Sequence, residues 1–206
     1  MIKSNNIIFF ILIFSFVNCI SANNDTIIIH LSSAKNKEDI TDNLQIVLNK
    51  LDKKPLKIIL SKGKYYISKN ILINRKSTAL VGEKDVEVYF VNNNGIILQN
   101  EYTIVEGITF RGNGKSSEEF YSGYAILLNG AKHCVIKNNI FENIAGNNVF
   151  FYPRNGRIGS SYNVVSNNQF INPKFNISTN GDEGAIILGY SGQIMNIVII
   201  NRKQHD

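Results

Sequence analysis

A ten-residue phrase, Cys134 to Asn143 (CVIKNNIFEN), returns almost unchanged at Asn163 to Asn172 (NVVSNNQFIN), and a looser version stands at Thr103 to Gly112 (TIVEGITFRG). Aligned on Phe110, Phe141 and Phe170, the copies lie 31 and 29 residues apart. Self-similarity at such a period is the signature of a solenoid, in which each repeat buries its apolar side only against its neighbours. No other feature of the chain restricts the fold as strongly.

The residues around the repeats keep the same rhythm. Short apolar runs at Leu56 to Leu60, Tyr65 to Ile67, Ile71 to Ile73, Ala79 to Val81, Val86 to Val91 and Ile96 to Leu98 are separated by turns of Gly, Asn, Ser and Lys. The three prolines, Pro55, Pro153 and Pro173, fall between runs, where no ladder donor is lost. Grouped by the repeats, these runs give three short strands per coil, which describes an all-β parallel β-helix. Alternation then places Ile126, Leu128, Ile136 and Phe141 inside and Lys137 and Glu142 outside. The paired asparagines Asn138-Asn139 and Asn167-Asn168 fall at a corner. There an inward amide can hydrogen-bond its counterpart one coil away; a row of glycan- or metal-binding amides is the other reading.

One segment breaks the strand pattern. Between Asp39 and Leu51, Ile40, Leu44, Val47, Leu48 and Leu51 recur at helical spacing, with Asp39 or Thr41 placed to cap the start. An open solenoid end exposes apolar side chains and unpaired strand edges, so this amphipathic helix is expected to lie across it as an N-terminal cap.

Residues 1–22 read as a secretory signal peptide, and 23–206 as the single β-helix domain. Lys3 supplies the charged start and Ile7 to Val17 an apolar run too short to span a bilayer; Ser21 and Ala22 supply the small residues before a cleavage site. The alternatives are an uncleaved anchor or a first strand. Removal of Lys3 takes the formal charge from +6 to +5 and leaves Cys134 as the one cysteine of the mature chain. A spread-out basic balance with no nucleic-acid motif suits an acidic polysaccharide better than DNA or RNA. The expected protein is secreted or periplasmic, a monomer, and free of membrane once the signal is gone.

The helix, SKGKYYIS, TALVGE, VEGITFRGNG and the NNxF repeats together resemble the pectate-lyase-like right-handed parallel β-helix superfamily, over Asp39 to about Ile200. Asn167 to Gly192 (NNQFINPKFNISTNGDEGAIILGYSG) is similar to the alginate lyase and chondroitinase B family, matching it at Asn180, Gly181, Glu183, Ile186, Leu188, Gly189 and Ser191. Ile187 stands where that family tends to have arginine. The GDEG turn also resembles the Gly-Asp-Asp turn of polygalacturonases, with Glu183 in place of the second aspartate. The lyase resemblance implies a catalytic lysine and arginine and calcium-binding acidic residues in coils that follow this segment. The sequence stops at Asp206, partway into the next repeat, and so reads as a solenoid incomplete at its C-terminal end.

Lyase chemistry on a uronate needs a base beside the carboxylate and a cation or Ca²⁺ to neutralise it. Arg154 and Arg157 in the YPRNGRIG loop are candidate substrate-binding cations, with Phe151-Tyr152 placed to stack on a sugar; Lys132, His133 and Lys137 precede them by one coil. Asp182 and Glu183 are candidate Ca²⁺ ligands or half of a hydrolytic acid/base pair. Against these stand plainer readings: a solvated loop arginine, a turn histidine and a solvated acidic turn. The catalytic residues stay unassigned. The expectation is a polysaccharide-active protein resembling lyases of acidic polysaccharides. A polygalacturonase-type hydrolase and a non-catalytic or vestigial glycan-binding β-helix are the alternatives.

Overall fold

A computed structural model of the chain describes residues 17–19, 26–32, 38–50, 54–91, 94–112, 123–144, 146–155, 158–171, 186–188 and 198–200. Strand β1 (Val17–Cys19) runs antiparallel to β2 (Ile27–Leu31). After β3 (Glu38–Asp39) comes helix α1 (Thr41–Lys50). Strands β4 (Leu56–Leu60), β5 (Gly63–Ile67) and β6 (Ile71–Ile73) make the next coil. They are followed by β7 (Thr78–Gly82), β8 (Val86–Phe90) and β9 (Ile96–Leu98). Then come β10 (Ile104–Glu106), β11 (Thr109–Arg111) and β12 (Tyr124–Asn129). Strands β13 (Val135–Lys137), β14 (Ile140–Glu142) and β15 (Asn147–Tyr152) form the coil above. The last are β16 (Val164–Ser166), β17 (Gln169–Ile171), β18 (Ile186–Leu188) and β19 (Val198–Ile200).

These strands stack into three sheets, and every pairing except β1 with β2 is parallel. The first sheet runs β1-β2-β4-β7-β10-β13-β16-β19, the second β3-β5-β8-β11-β14-β17, and the third β6-β9-β12-β15-β18. The chain is therefore a parallel β-solenoid, as the repeats require. The five strands of the third sheet mark about five turns. The signal-peptide reading of residues 1–22 falls outside the described residues except at Val17–Cys19, which pairs along the outer edge of β2.

Period-two alternation sorts the side chains. Ile58, Leu80, Val105, Ile136 and Val165 point inward from the first sheet, and Tyr65, Val88, Phe110 and Phe141 from the second. Ile73, Leu98, Leu128 and Phe151 point inward from the third, and all are buried. The rings of Phe90, Phe110, Phe141 and Phe170 stack up the interior at 5.7, 5.3 and 5.2 Å. The repeat phenylalanines are thus one column of the core, where each aliphatic or aromatic burial contributes about 1.5–3 kcal/mol.

In the three repeat coils the corner between the first and second sheets is only two residues long. Its first residue is left-handed: Gly107 (φ 73°), Asn138 (φ 56°) and Asn167 (φ 53°). Glycine and asparagine are the residues that tolerate this conformation. The second residue turns its amide inward. Asn139 Nδ2 donates to Asn168 Oδ1 (3.1 Å) and Val105 O (3.0 Å), while its Oδ1 accepts the Ile108 amide (3.1 Å). Asn168 repeats the pattern, donating to Ile136 O (2.8 Å) and accepting the Asn139 amide (3.0 Å). The ladder reading of the paired asparagines holds, and these amides satisfy buried backbone instead of a ligand.

Helix α1 closes the first end. Ile40, Leu44, Val47 and Leu48 are buried in the core. Gln45 clasps the free edge of β6, donating to Leu72 O (3.0 Å) and accepting the Leu72 amide (2.8 Å). Asp39 caps the helix by accepting the Thr41 amide (2.9 Å). The carboxylate also takes the Thr41 and Ser68 hydroxyls.

Candidate functional site

The sequence-named cations Arg154, Lys132 and His133 converge on one place, the corner where the chain passes from the third sheet to the first. Inside, this corner is tied down by small polar side chains. Thr103, Cys134 and Asn163 stack in register and are fully buried. Asn163 donates to Ala131 O (3.0 Å) and accepts the Cys134 amide (2.8 Å). Burial pushes the Cys134 thiol up to about 11, so at neutral pH it is an inert core group.

The residue before each of these faces out. Ser77, Tyr102, His133 and Tyr162 stand at successive turns with φ of 56°, 58°, 54° and 58°. The left-handed backbone throws their side chains clear of the core. Tyr102 and Tyr162 are 47% and 50% exposed. The His133 ring lies 5.0 Å from each of its tyrosine neighbours, 10° from the plane of Tyr102 and 6° from that of Tyr162. Lys76 Nζ sits over the far face of the column, 5.1 Å from the Tyr102 centroid, and bonds Glu101 at 3.0 Å. That hydrogen bond and charge hold the Glu101 carboxyl below its usual value and raise Lys76. His133 is the turn residue the sequence suggested; its two tyrosine partners were not among the candidates.

Lys132 lies beside this column, bridged by backbone to Glu101 below and Ser161 above. It is half-buried and makes no ion pair among the described residues. Lys137 differs, being tied to Glu106 at 3.2 Å on the outer face of the first sheet.

Tyr152, the last residue of β15, and Arg154, just beyond it, come from the coil above. Arg154 and Ile158 exchange backbone hydrogen bonds (2.8 and 3.0 Å), folding the loop into a small hairpin. Ser160 anchors its return: the hydroxyl accepts the Gly130 amide (2.9 Å) and lies within reach of the Leu128 (2.7 Å) and Tyr152 (3.0 Å) carbonyls. Arg154 then runs down the solenoid and donates Nη1 to Gln99 O at 3.2 Å, two coils below. Gly130 makes that path possible. A Cβ there would lie 2.8 Å from Arg154 Cβ and 2.9 Å from Ile158 O, on a backbone with φ +71°. Arg154 is therefore half-buried and partly occupied, neither a free loop cation nor one paired to a carboxylate. Tyr152 is 40% exposed and tilts 53° to Phe150 at 5.7 Å. The sequence paired Phe151 with Tyr152 as a stacking platform, and the structure corrects this. Phe151 points into the core and is fully buried, because neighbours on a strand face opposite ways.

Arg157, Asp182 and Glu183 lie outside the described residues, as do Glu118 and Glu119. Among the described residues no three His, Cys, Asp or Glu side chains are grouped to hold a metal ion, and no helix is long and apolar enough to cross a membrane.

No protein-family model matches this sequence. No curated protein matches it either. Among solved structures, ORF18 of Geobacillus virus E2 is similar at 12% identity with a TM-score of 0.48. That similarity covers 78% of this chain and 38% of the viral protein, so the chain spans well under half of that protein's length.

Proposed function

We propose that the protein binds an acidic polysaccharide at the corner between its third and first sheets. The observation that carries this reading is the outward column of Lys76, Tyr102, His133 and Tyr162, one residue per coil, flanked by Lys132 and Arg154, which have no carboxylate partner among the described residues. A cation not paired to an internal carboxylate can hold an external one with its remaining donors, and phenol and imidazole edges hydrogen-bond sugar hydroxyls. The sequence resemblance to pectate-lyase-like β-helices, and within them to the alginate lyase and chondroitinase B family, supports the same class of ligand. Export directed by residues 1–22 would bring the protein to extracellular polymer. A Ca²⁺ bound through Asp182 and Glu183 would add a second carboxylate anchor.

Titration calorimetry of the full chain with polygalacturonate, alginate and hyaluronan, against neutral dextran and single-stranded DNA, tests the proposal. Binding of a uronate polymer is expected, weakened by salt because the contacts are exposed ion pairs. Lys132→Gln is expected to cost about tenfold, the loss of one hydrogen bond to a charged group. Equal affinity for dextran, a preference for DNA, or no binding would refute it. Absorbance of an unsaturated product in the same samples would add lyase activity to the binding reading.

A further inference from the structure

We infer that the ligand lies along the solenoid axis, one sugar per coil over four successive coils, with its polar edge on the aromatic column and its apolar face on Ile104, Val135 and Val164. This rests on the binding reading above and adds the geometry of recognition. Two observations carry it. First, the ring centroids of Tyr102, His133 and Tyr162 are spaced at 5.0 Å, with planes within 10° of parallel. Rings stacked so closely hide their faces against one another and show only edges, so no sugar can stack on them flat. Each coil instead offers one phenol or imidazole edge, a hydrogen-bonding group repeated at the strand spacing of about 4.8 Å. Second, two residues further along each strand stand Ile104, Val135 and Val164, paired in register and half-buried on the outer face of the first sheet. The strip thus has a polar rail and an aliphatic rail running parallel, with Lys132 on the polar side.

Size selects the partner. Four corners at strand spacing span roughly 14 Å, and the two rails lie roughly 7 Å apart along the strand. With side-chain width this gives a footprint on the order of 200 Å², far below the roughly 800 Å² per side that a stable protein partner needs. A narrow amphipathic strip fits a linear chain. A pyranose polymer with carboxylates along one edge and C–H groups on its ring faces matches both rails.

The test is calorimetry of the full chain with oligogalacturonates of increasing length. Affinity is expected to rise at least tenfold from the dimer to about the tetramer and then to rise less steeply, since beyond Tyr162 the described residues continue only the aliphatic rail, at Val198 in register with Val164. Val135→Thr, which keeps the side-chain shape, is expected to weaken the tetramer severalfold, with the unfolding midpoint recorded as a check on the fold. Val135→Asp is expected to abolish tetramer binding. A dimer that binds as tightly as the octamer, a gain that continues undiminished to the octamer, or a folded Val135→Asp variant that binds normally would overturn this placement while leaving uronate binding intact. Failure of every uronate, long or short, would remove the binding reading and this inference with it.

Discussion

Replacing Asn139 by alanine tests whether the corner amides hold the coils together. In the wild-type chain this side chain satisfies the Ile108 amide, the Val105 carbonyl and one lone pair of Asn168 Oδ1. The alanine variant leaves the Ile108 amide buried without a partner and strips Val105 O of one of its two donors, since its parallel ladder bond to β13 remains. Asn168 Oδ1 keeps the Asn139 backbone amide at 3.0 Å. The orphaned amide costs about 1–3 kcal/mol and the lost bond to Val105 O about 1 kcal/mol more, so the variant should lose about 2–4 kcal/mol. With a urea m-value of about 2–3 kcal/mol/M, the midpoint should fall by roughly 1–2 M at unchanged slope. Asn138→Gly is the matched control. Asn138 is left-handed and exposed, and its bond to Glu106 (3.1 Å) is at the surface, so glycine should change stability by less than about 0.5 kcal/mol. Asn139→Asp sharpens the test. It keeps an acceptor for Ile108 but sets a carboxylate against Val105 O and Asn168 Oδ1, so it should destabilise at neutral pH and recover on acidification, when the carboxyl regains a donor. If Asn139→Ala costs less than 1 kcal/mol, or no more than Asn138→Gly, then water satisfies these groups and the ladder is not what fixes the corner.

Two further predictions follow from the same geometry. Gly130→Ala must shift Arg154 and the Arg154–Ile158 hairpin, given approaches of 2.8 and 2.9 Å and φ of +71°. It should cost about 1–3 kcal/mol in urea unfolding and weaken uronate binding together with stability, whereas Arg154→Gln should weaken binding with little change in midpoint. Acid stability should be set by Asp39 and Glu87. Burial alone would raise the Asp39 carboxyl, but hydrogen bonds from Ser68 and Thr41 hold it below its ordinary 3.8. The Tyr89 hydroxyl, with help from Arg111 and Lys64, holds Glu87 below 4.5. Carboxyls depressed by folding contribute fully above those ordinary values and lose that contribution as pH falls through the lower folded ones. The thermal midpoint should therefore drop below about pH 4.5, and Glu87→Gln should flatten part of that limb. Burial, then Glu87, pushes the Tyr89 hydroxyl up to about 12. Its contribution is complete below its ordinary 10.0 and is lost only as pH rises through about 12. An acid limb unchanged in Glu87→Gln would remove this carboxylate from the account.

The architecture was legible because a solenoid writes its core once per turn. Phe110, Phe141 and Phe170 mark the register without any long-range information, and the Asn-Asn pairs betray a corner because only a left-handed position followed by an inward amide demands that dipeptide. The site was half legible. His133 and Arg154 could be named as cations, but their company could not. Taking each repeat one residue further upstream gives Tyr102, His133 and Tyr162, a column the repeat boundary at Thr103, Cys134 and Asn163 cut off. The contact of Arg154 with Gln99 spans two coils across a glycine, and no local pattern encodes such a path. Phe151 was misread for a simpler reason: two adjacent aromatics look like a platform until strand alternation buries one of them.

Charge alone would point to a different face. The outer second sheet is the more charged, with Lys64, Glu87, Arg111 and Glu142 rising coil by coil. Yet those groups satisfy one another. Arg111 hydrogen-bonds Glu142 and forms an ion pair with Glu87, which also takes the Tyr89 hydroxyl and lies 3.8 Å from Lys64. A polyanion approaching that face would have to break pairs already made, and a hydrolytic acid could not come from Glu87, which folding holds ionised. On the corner of Tyr102, His133 and Tyr162 the balance is reversed. One acid, Glu101, is paired to Lys76 and only feels the charge of Lys132 at longer range, while neither Lys132 nor Arg154 makes an ion pair among the described residues. What distinguishes a binding face on such a solenoid is the charge left unpaired after the coils have stacked, and that remainder falls on the corner.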